Sequence, residues 1–214
     1  MKKNYSYIGI AFIVLVFGIY VVPKVVKKFS KSDLHTFSKV PDFEFTNQDG
    51  KTITNKDYDG KVYVVEFFFT TCPTICPIMN QKMLTVQDEF FGNPDFGIAS
   101  ISITPQIDTP EVLKSYAKSK GISHKHWNLL TGKKDDVVYA LANQGFKLYA
   151  GKGDEDHGGF EHSGLFALID KSGYIRSRKD EYGNPIMYYR AIEESGFPDQ
   201  IQELKEDIKV LLNE

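Results

Sequence analysis

Apolar positions come first as one long run. From Asn4 to Pro23, NYSYIGIAFIVLVFGIYVVP, there are twenty residues without a charge, about the length a helix needs to cross a bilayer core. Tyr5, Tyr7 and Tyr20 stand near its ends, where aromatic rings favour the membrane interface. Neither a small-x-small cleavage signal nor a cysteine follows the run, so the pattern predicts an uncleaved anchor rather than a signal peptide or a lipoprotein. The next stretch, KVVKKFSKSDLHTFS, is polar and predicts a stalk with His35 in solvent. From Val40 the pattern is that of a compact domain. Phe43 and Phe45 alternate with polar residues, and Asp49-Gly50 follows as a turn, which predicts a hairpin. Val62 to Phe69 is a dominantly β-branched and aromatic run, a strand buried on both faces.

Helical spacing then takes over. Ile78, Met79, Met83, Leu84 and Val86 fit one helix, FGIASISI a second buried strand, and DTPEVLKSYAKSKG a helix capped by Thr109, started by Pro110 and stopped by Gly121. KKDDVVYALANQGF predicts a further helix, GLFALID-KSG-YIRS a strand, turn and strand, and Ile201, Leu204, Ile208, Leu211 and Leu212 one face of a closing helix. The order is hairpin, β, α, β, α, α, β, β, α. That is an α/β domain with parallel strands joined by helices, followed by an antiparallel pair. The expected organisation is an anchor over 1–27, a stalk over 28–39 and a folded domain over 40–214.

Charge changes the picture in one respect. Residues 1–31 hold six lysines and no acid, so the rest, with 20 basic and 28 acidic side chains, carries a net charge of -8. So acidic a body disfavours nucleic acid as a partner. Four of those lysines follow the apolar run and two precede it. By the positive-inside rule this distribution would hold the body in the cytoplasm.

The chemistry concentrates in TTCPTICPIMN, which contains both cysteines of the chain, Cys72 and Cys76. Each precedes a proline, which pushes it out of the helical region, and proline suits a first helical position. Cys76 is therefore expected at a helix entrance and Cys72 in the loop before it. A thiol at a helix N-terminus has a lowered pKa and more thiolate, the form that attacks disulfides and binds soft metals. Three intervening residues permit a disulfide and also open space for a metal such as Cu(I) or Zn. Both chemistries stay open at this point.

A third ligand would be a histidine. His124 and His126, beside Trp127, read as surface or packing residues. His157 lies inside the Gly- and acid-rich loop GDEDHGGFEHSG, and His162 at its end, directly before the strand 165–170. A scaffold-held side chain is the better ligand, which favours His162 over His157. A structural zinc site would need four ligands, with His157 as the available fourth. A peroxidase of the peroxiredoxin kind would need threonine three residues before Cys72, where this chain has Phe69.

Four stretches, GKVYVVEFFFTTCPTICPIM, ISITPQIDTPEVLKSYAKSKG, WNLLTG and EHSGLFALIDKSG, resemble the Sco/SenC family from about Val40 to the C-terminus. The resemblance implies a thioredoxin-like fold with an N-terminal hairpin, preceded by a single membrane helix. It implies a copper chaperone for the dinuclear copper site of cytochrome c oxidase, binding Cu(I), Cu(II) or both through Cys72, Cys76 and His162. The implied partner is the copper-site subunit of the oxidase, with another copper chaperone or a thiol reductant as further candidates. The alternative function is a thiol-disulfide oxidoreductase that uses Cys72 and Cys76 as a redox pair on that subunit. The implied location is the inner membrane, single-pass, with the domain facing the periplasm, against the lysine distribution. Two features depart from the family pattern. Thr104 stands where an aspartate is common, although Asp108 is retained, so a docking role for an acidic pair is in doubt. The link RSRKDEYGNPIMYYRAIEESGFPDQ before the last helix is longer than usual. It reads as a surface elaboration, with a partner-binding loop as the alternative.

Overall fold

The first apolar run forms helix α1, Ser6–Phe29. The computed structural model describes residues 6–29, 32–154, 158–193 and 196–214, with side chains in α1 described over 9–22. The chain divides into two units, 1–33 with 213–214 and 34–212, and each is taken by itself. Along α1 the large apolar side chains from Ile10 to Val22 are exposed, except the half-buried Val21. Among the described residues no helix is long and apolar enough to cross a membrane. The expected spanning by 4–23 therefore rests on its sequence.

In the second unit, β1 (His35–Lys39) and the hairpin β2 (Glu44–Asn47) and β3 (Thr52–Thr54) come first. Strand β4 (Val62–Phe68) is buried at every position, and α2 (Cys76–Glu89) follows it. Then come β5 (Phe96–Ser102), α3 (Pro110–Lys120), β6 (Trp127–Thr131) and α4 (Asp135–Ala140). A short ribbon of β7 (Ala150–Lys152) and β8 (Phe160–His162) precedes β9 (Leu165–Ile169) and β10 (Tyr174–Ser177). Strand β11 (Tyr189–Arg190) and α5 (Ile201–Leu212) complete the chain. The main sheet runs β1-β10-β9-β4-β5-β6-β2-β3, with β11 also paired to β9. β4, β5 and β6 are mutually parallel, and β9 and β10 are antiparallel. Both faces of the central strands are covered, which is why they read as mainly apolar runs rather than as alternating ones.

The helix signals act as their chemistry requires. Thr109 Oγ1 accepts from the Val112 N–H at 3.4 Å, and Gly121 adopts a left-handed φ of 77° that ends α3. α2 and α5 are tied by Lys205 and Lys209, which both pair with Glu89.

Three differences from the expected pattern have physical causes. Residues 35–39, inside the segment expected as stalk, form β1. It is an exposed edge strand held by backbone pairing to β10, so it has little apolar signature. The helix expected through 146 loses α-geometry after Ala140 and continues as a wider turn over Leu141–Phe146. Pro41 crosses there so closely that a Cβ on Gly145 would lie 2.6 Å from its Cγ. The 176–198 link is also more than a surface elaboration. Tyr189 and Ala191 are fully buried, and the Tyr189 hydroxyl donates to Asp207 at 2.6 Å. Arg178 grips the same carboxylate through Nε and a terminal nitrogen, each at 2.8 Å, the two-point geometry that suits a guanidinium.

Candidate metal centre

Strand β4 delivers the chain into the cysteine loop, and Asp108 fixes that loop in place. Asp108 is fully buried. Its carboxyl accepts from the Thr70 N–H at 3.1 Å, Ser102 Oγ at 2.6 Å, Thr104 Oγ1 at 3.0 Å, and the Thr70 hydroxyl. The loop two residues before Cys72 is thereby pinned to the end of β5. Thr104, which replaces the expected aspartate, serves as an internal donor to Asp108.

Cys76 is the first residue of α2, with a proline in the opening turn, and Cys72 lies in the preceding loop. The Cys76 N–H points at Cys72 Sγ, 3.5 Å away. Cys76 Sγ lies 2.9 Å from His162 Nε2. The three ligand atoms of Cys72, Cys76 and His162 fall within 4.8 Å of one another, and all three residues are buried. His162 ends β8, and its Nδ1–H donates to the Ser163 carbonyl at 3.1 Å. That bond leaves the Nε2 lone pair facing the sulfurs, the arrangement metal-bound histidines use. Phe69 packs edge-on against the imidazole, with ring centres 5.8 Å apart.

The two thiols are electrostatically unequal. Cys72 is held well below the ordinary thiol range, chiefly by hydrogen bonding from Cys76, whose N–H points at its sulfur, against the opposing effect of burial. Cys76 is pushed up, chiefly by burial and then by Cys72. This corrects the expectation that the thiol at the helix entrance is the acidic one. The first N–H of the helix points outward at the loop sulfur, while the Cys76 side chain packs into the core.

Beneath the site lies a carboxyl that the apolar run of β4 concealed. Glu66 is 4% exposed and accepts from Ser100 Oγ at 2.6 Å, and Ser100 in turn accepts from the Trp127 indole at 2.8 Å. Burial pushes its pKa up to about 7. A single acid within a hydrophobic strand was the available signal.

Two thiols and an imidazole are a soft donor set suited to copper. Among the described residues no fourth His, Cys, Asp or Glu joins the group, whereas structural zinc calls for four ligands. His157 lies outside the described residues. His35 is exposed on β1. His124 is buried away from the cysteines, with Nε2–H donating to the Phe90 carbonyl and Nδ1 accepting from the His126 N–H, each at 3.2 Å. His126 is half-buried beside it.

A groove of about 600 Å³ opens from Cys72 and His162, with one wall from the 160–165 stretch and another from the long link. Sequence reasoning left that wall unplaced. Residues 186–192 are apolar or aromatic except at Arg190, so no period in the sequence marked which of them face the groove.

The SCO1/SenC family profile matches residues 32–195. The chain is 32% identical over 168 residues to the SCO1 protein homolog of Bacillus subtilis (strain 168), covering 78% of this chain and 81% of that one. The solved structure of BsSco, described as a member of the Sco family of cytochrome c oxidase assembly proteins with a disulfide switch, superposes with a TM-score of 0.69. It is 28% identical, over 86% of this chain and 98% of that one. The Bradyrhizobium japonicum ScoI structure, described as having copper bound, shares the fold with a TM-score of 0.62 at 24% identity, over 82% of this chain and the whole of that one.

Proposed function

Because the chain belongs to the SCO1/SenC family, we propose that it is a membrane-anchored copper chaperone serving assembly of the dinuclear copper site of cytochrome c oxidase. The observation that carries this reading is the buried Cys72–Cys76–His162 triad, with its imidazole lone pair already aimed at the sulfurs. Copper is cargo here. Both sulfurs would bind as thiolates, and Cys72, the more acidic, needs little help to lose its proton. His162 supplies a neutral nitrogen. Three ligands leave a face open for a ligand from the receiving protein, and the groove at Cys72 gives that ligand a route in.

The experiment is a titration of the reduced full chain, in mild detergent, with Cu(I) and with Cu(II), beside His162→Ala. The expected result is one tightly bound copper per chain, weakened at least about tenfold in the variant, since outer supports alone typically cost 10–100-fold. Weak binding that ignores His162 would remove the chaperone reading.

A second reading is favoured by the unequal thiols: a thiol-disulfide oxidoreductase acting on the oxidase's copper subunit. The Cys72 thiolate attacks one sulfur of a substrate disulfide and releases the other as a thiolate. Cys76 then displaces the substrate's remaining sulfur, leaving the substrate as a dithiol and Cys72–Cys76 as a disulfide. This route does not need His162, so full activity in His162→Ala supports it.

The anchor is supported by the uncharged stretch 4–23. A single pass through the inner membrane, with the domain in the periplasm, follows from delivery to an exported oxidase subunit. The expected result for a C-terminal reporter that works only in the periplasm is activity. A reporter active only in the cytoplasm would reverse the orientation.

A further inference from the structure

The chaperone reading leaves open how a receiving protein is held while copper changes hands. The long link bears on this. Ile186, Tyr188, Arg190 and Ile192 all line the groove beside Cys72 and His162, whereas the intervening Tyr189 and Ala191 are fully buried. Tyr189 and Arg190 are extended as β11, Met187 before them takes a left-handed φ of 63°, and Ile186, Tyr188, Arg190 and Ile192 share the groove side of the segment. That side is apolar and aromatic except at Arg190. The Arg190 Nε–H is used by the Pro198 carbonyl at 3.0 Å, and its guanidinium lies over the Phe197 ring at 5.4 Å. Among the described residues no carboxylate pairs with it. Its terminal nitrogens therefore remain as donors for a carboxylate from outside. The adjoining stretch, residues 160–165, which pairs with the link at Leu165 and Arg190, contributes Phe160 and Leu165 and carries the metal ligand His162. Glu161 also lines the groove, and Arg190 is the cation among its lining residues. A largely apolar slot with an arginine fork, leading to a metal site, has the chemistry of a seat for an extended segment carrying apolar residues and an acid.

Resting on the chaperone reading, we infer that 186–192 is the recipient-docking wall, and that it holds an extended, acid-bearing segment of the copper-receiving protein with the acid on Arg190. The link is then a partner-binding element built into the core by its alternate residues. Copper binding and recipient docking are assigned to different side chains, so they are separable.

The test uses the full chain in mild detergent and the purified copper-site domain of a bacterial cytochrome c oxidase. Association is measured by calorimetry with both partners reduced and metal-free, for the wild type, Arg190→Glu, Arg190→Lys and Ile186→Asp. Copper affinity and melting temperature are recorded for each. The expected result is association weakened at least about tenfold in Arg190→Glu and Ile186→Asp, and less in Arg190→Lys. Copper affinity stays within about twofold of the wild type throughout. Wild-type association in Arg190→Glu overturns the inference. So does displacement of the recipient domain by millimolar reduced glutathione, which would make the groove a small-thiol site. Because association is read without metal, failure to bind or deliver copper would count against the chaperone reading alone.

Discussion

Glu66 makes this fold sensitive to pH in a direction opposite to that of a salt-bridged acid. Its side chain lies in the middle of β4, 4% exposed, with a neutral hydroxyl as its hydrogen-bond donor. Burial raises its pKa from 4.5 to about 7. Between those values the folded chain holds a proton that the unfolded chain has released. Stability is therefore highest below about pH 4.5 as far as this group is concerned, and is lost as pH rises toward 7. The gap between 4.5 and about 7, at about 1.4 kcal/mol per pH unit, comes to about 3 kcal/mol. Glu66→Gln keeps an oxygen for Ser100 and cannot ionise. Urea unfolding of the reduced, metal-free chain at pH 5 and pH 8 isolates the effect, because other titrating groups are common to both proteins. The variant should gain about 2–3 kcal/mol on the wild type between the two pH values. A difference that stays constant within about 0.5 kcal/mol, the scale of an ordinary surface change, would refute the assignment.

Other groups give further tests. Asp108→Asn weakens a buried acceptor of four hydrogen bonds. It should cost about 1–3 kcal/mol and speed amide exchange at Thr70, and unchanged exchange there would remove Asp108 as the pin of the cysteine loop. Tyr189→Phe removes the hydroxyl bonded to Asp207 but leaves the Arg178 pair. A loss of about 1 kcal/mol in urea unfolding is expected, and no loss would mean that Arg178 alone satisfies the carboxylate.

Much of the domain was legible because its strands and helices obey simple periodicities. β4 and β5 are buried on both faces, and α3 carries its cap, its proline and its glycine in the sequence. β1 escaped because an exposed edge strand has backbone pairing but no apolar pattern. β11 escaped because two residues carry no period, although Tyr189 is fully buried. At the site, the cysteines were visible from spacing and their prolines, and His162 from its place before β9. Which thiol is acidic was not legible, because that depends on where one N–H of α2 points. Nor was Glu66, whose neighbours in sequence say only that its strand is buried.

The ligands of the metal centre come from distant parts of the chain: Cys76 and His162 are 86 residues apart in sequence. They also come from different sheets, since β8 pairs only with β7 while the cysteine loop leaves β4. An ion held between them is a reversible cross-link closing a loop of that size. By the chain-entropy rule for such closures it removes roughly 4–5 kcal/mol of freedom from the unfolded chain. The loaded protein is then stapled and the empty one is not. On the copper-chaperone reading, delivery would cut that staple, so handing over the cargo and freeing the β7–β8 ribbon would be one event.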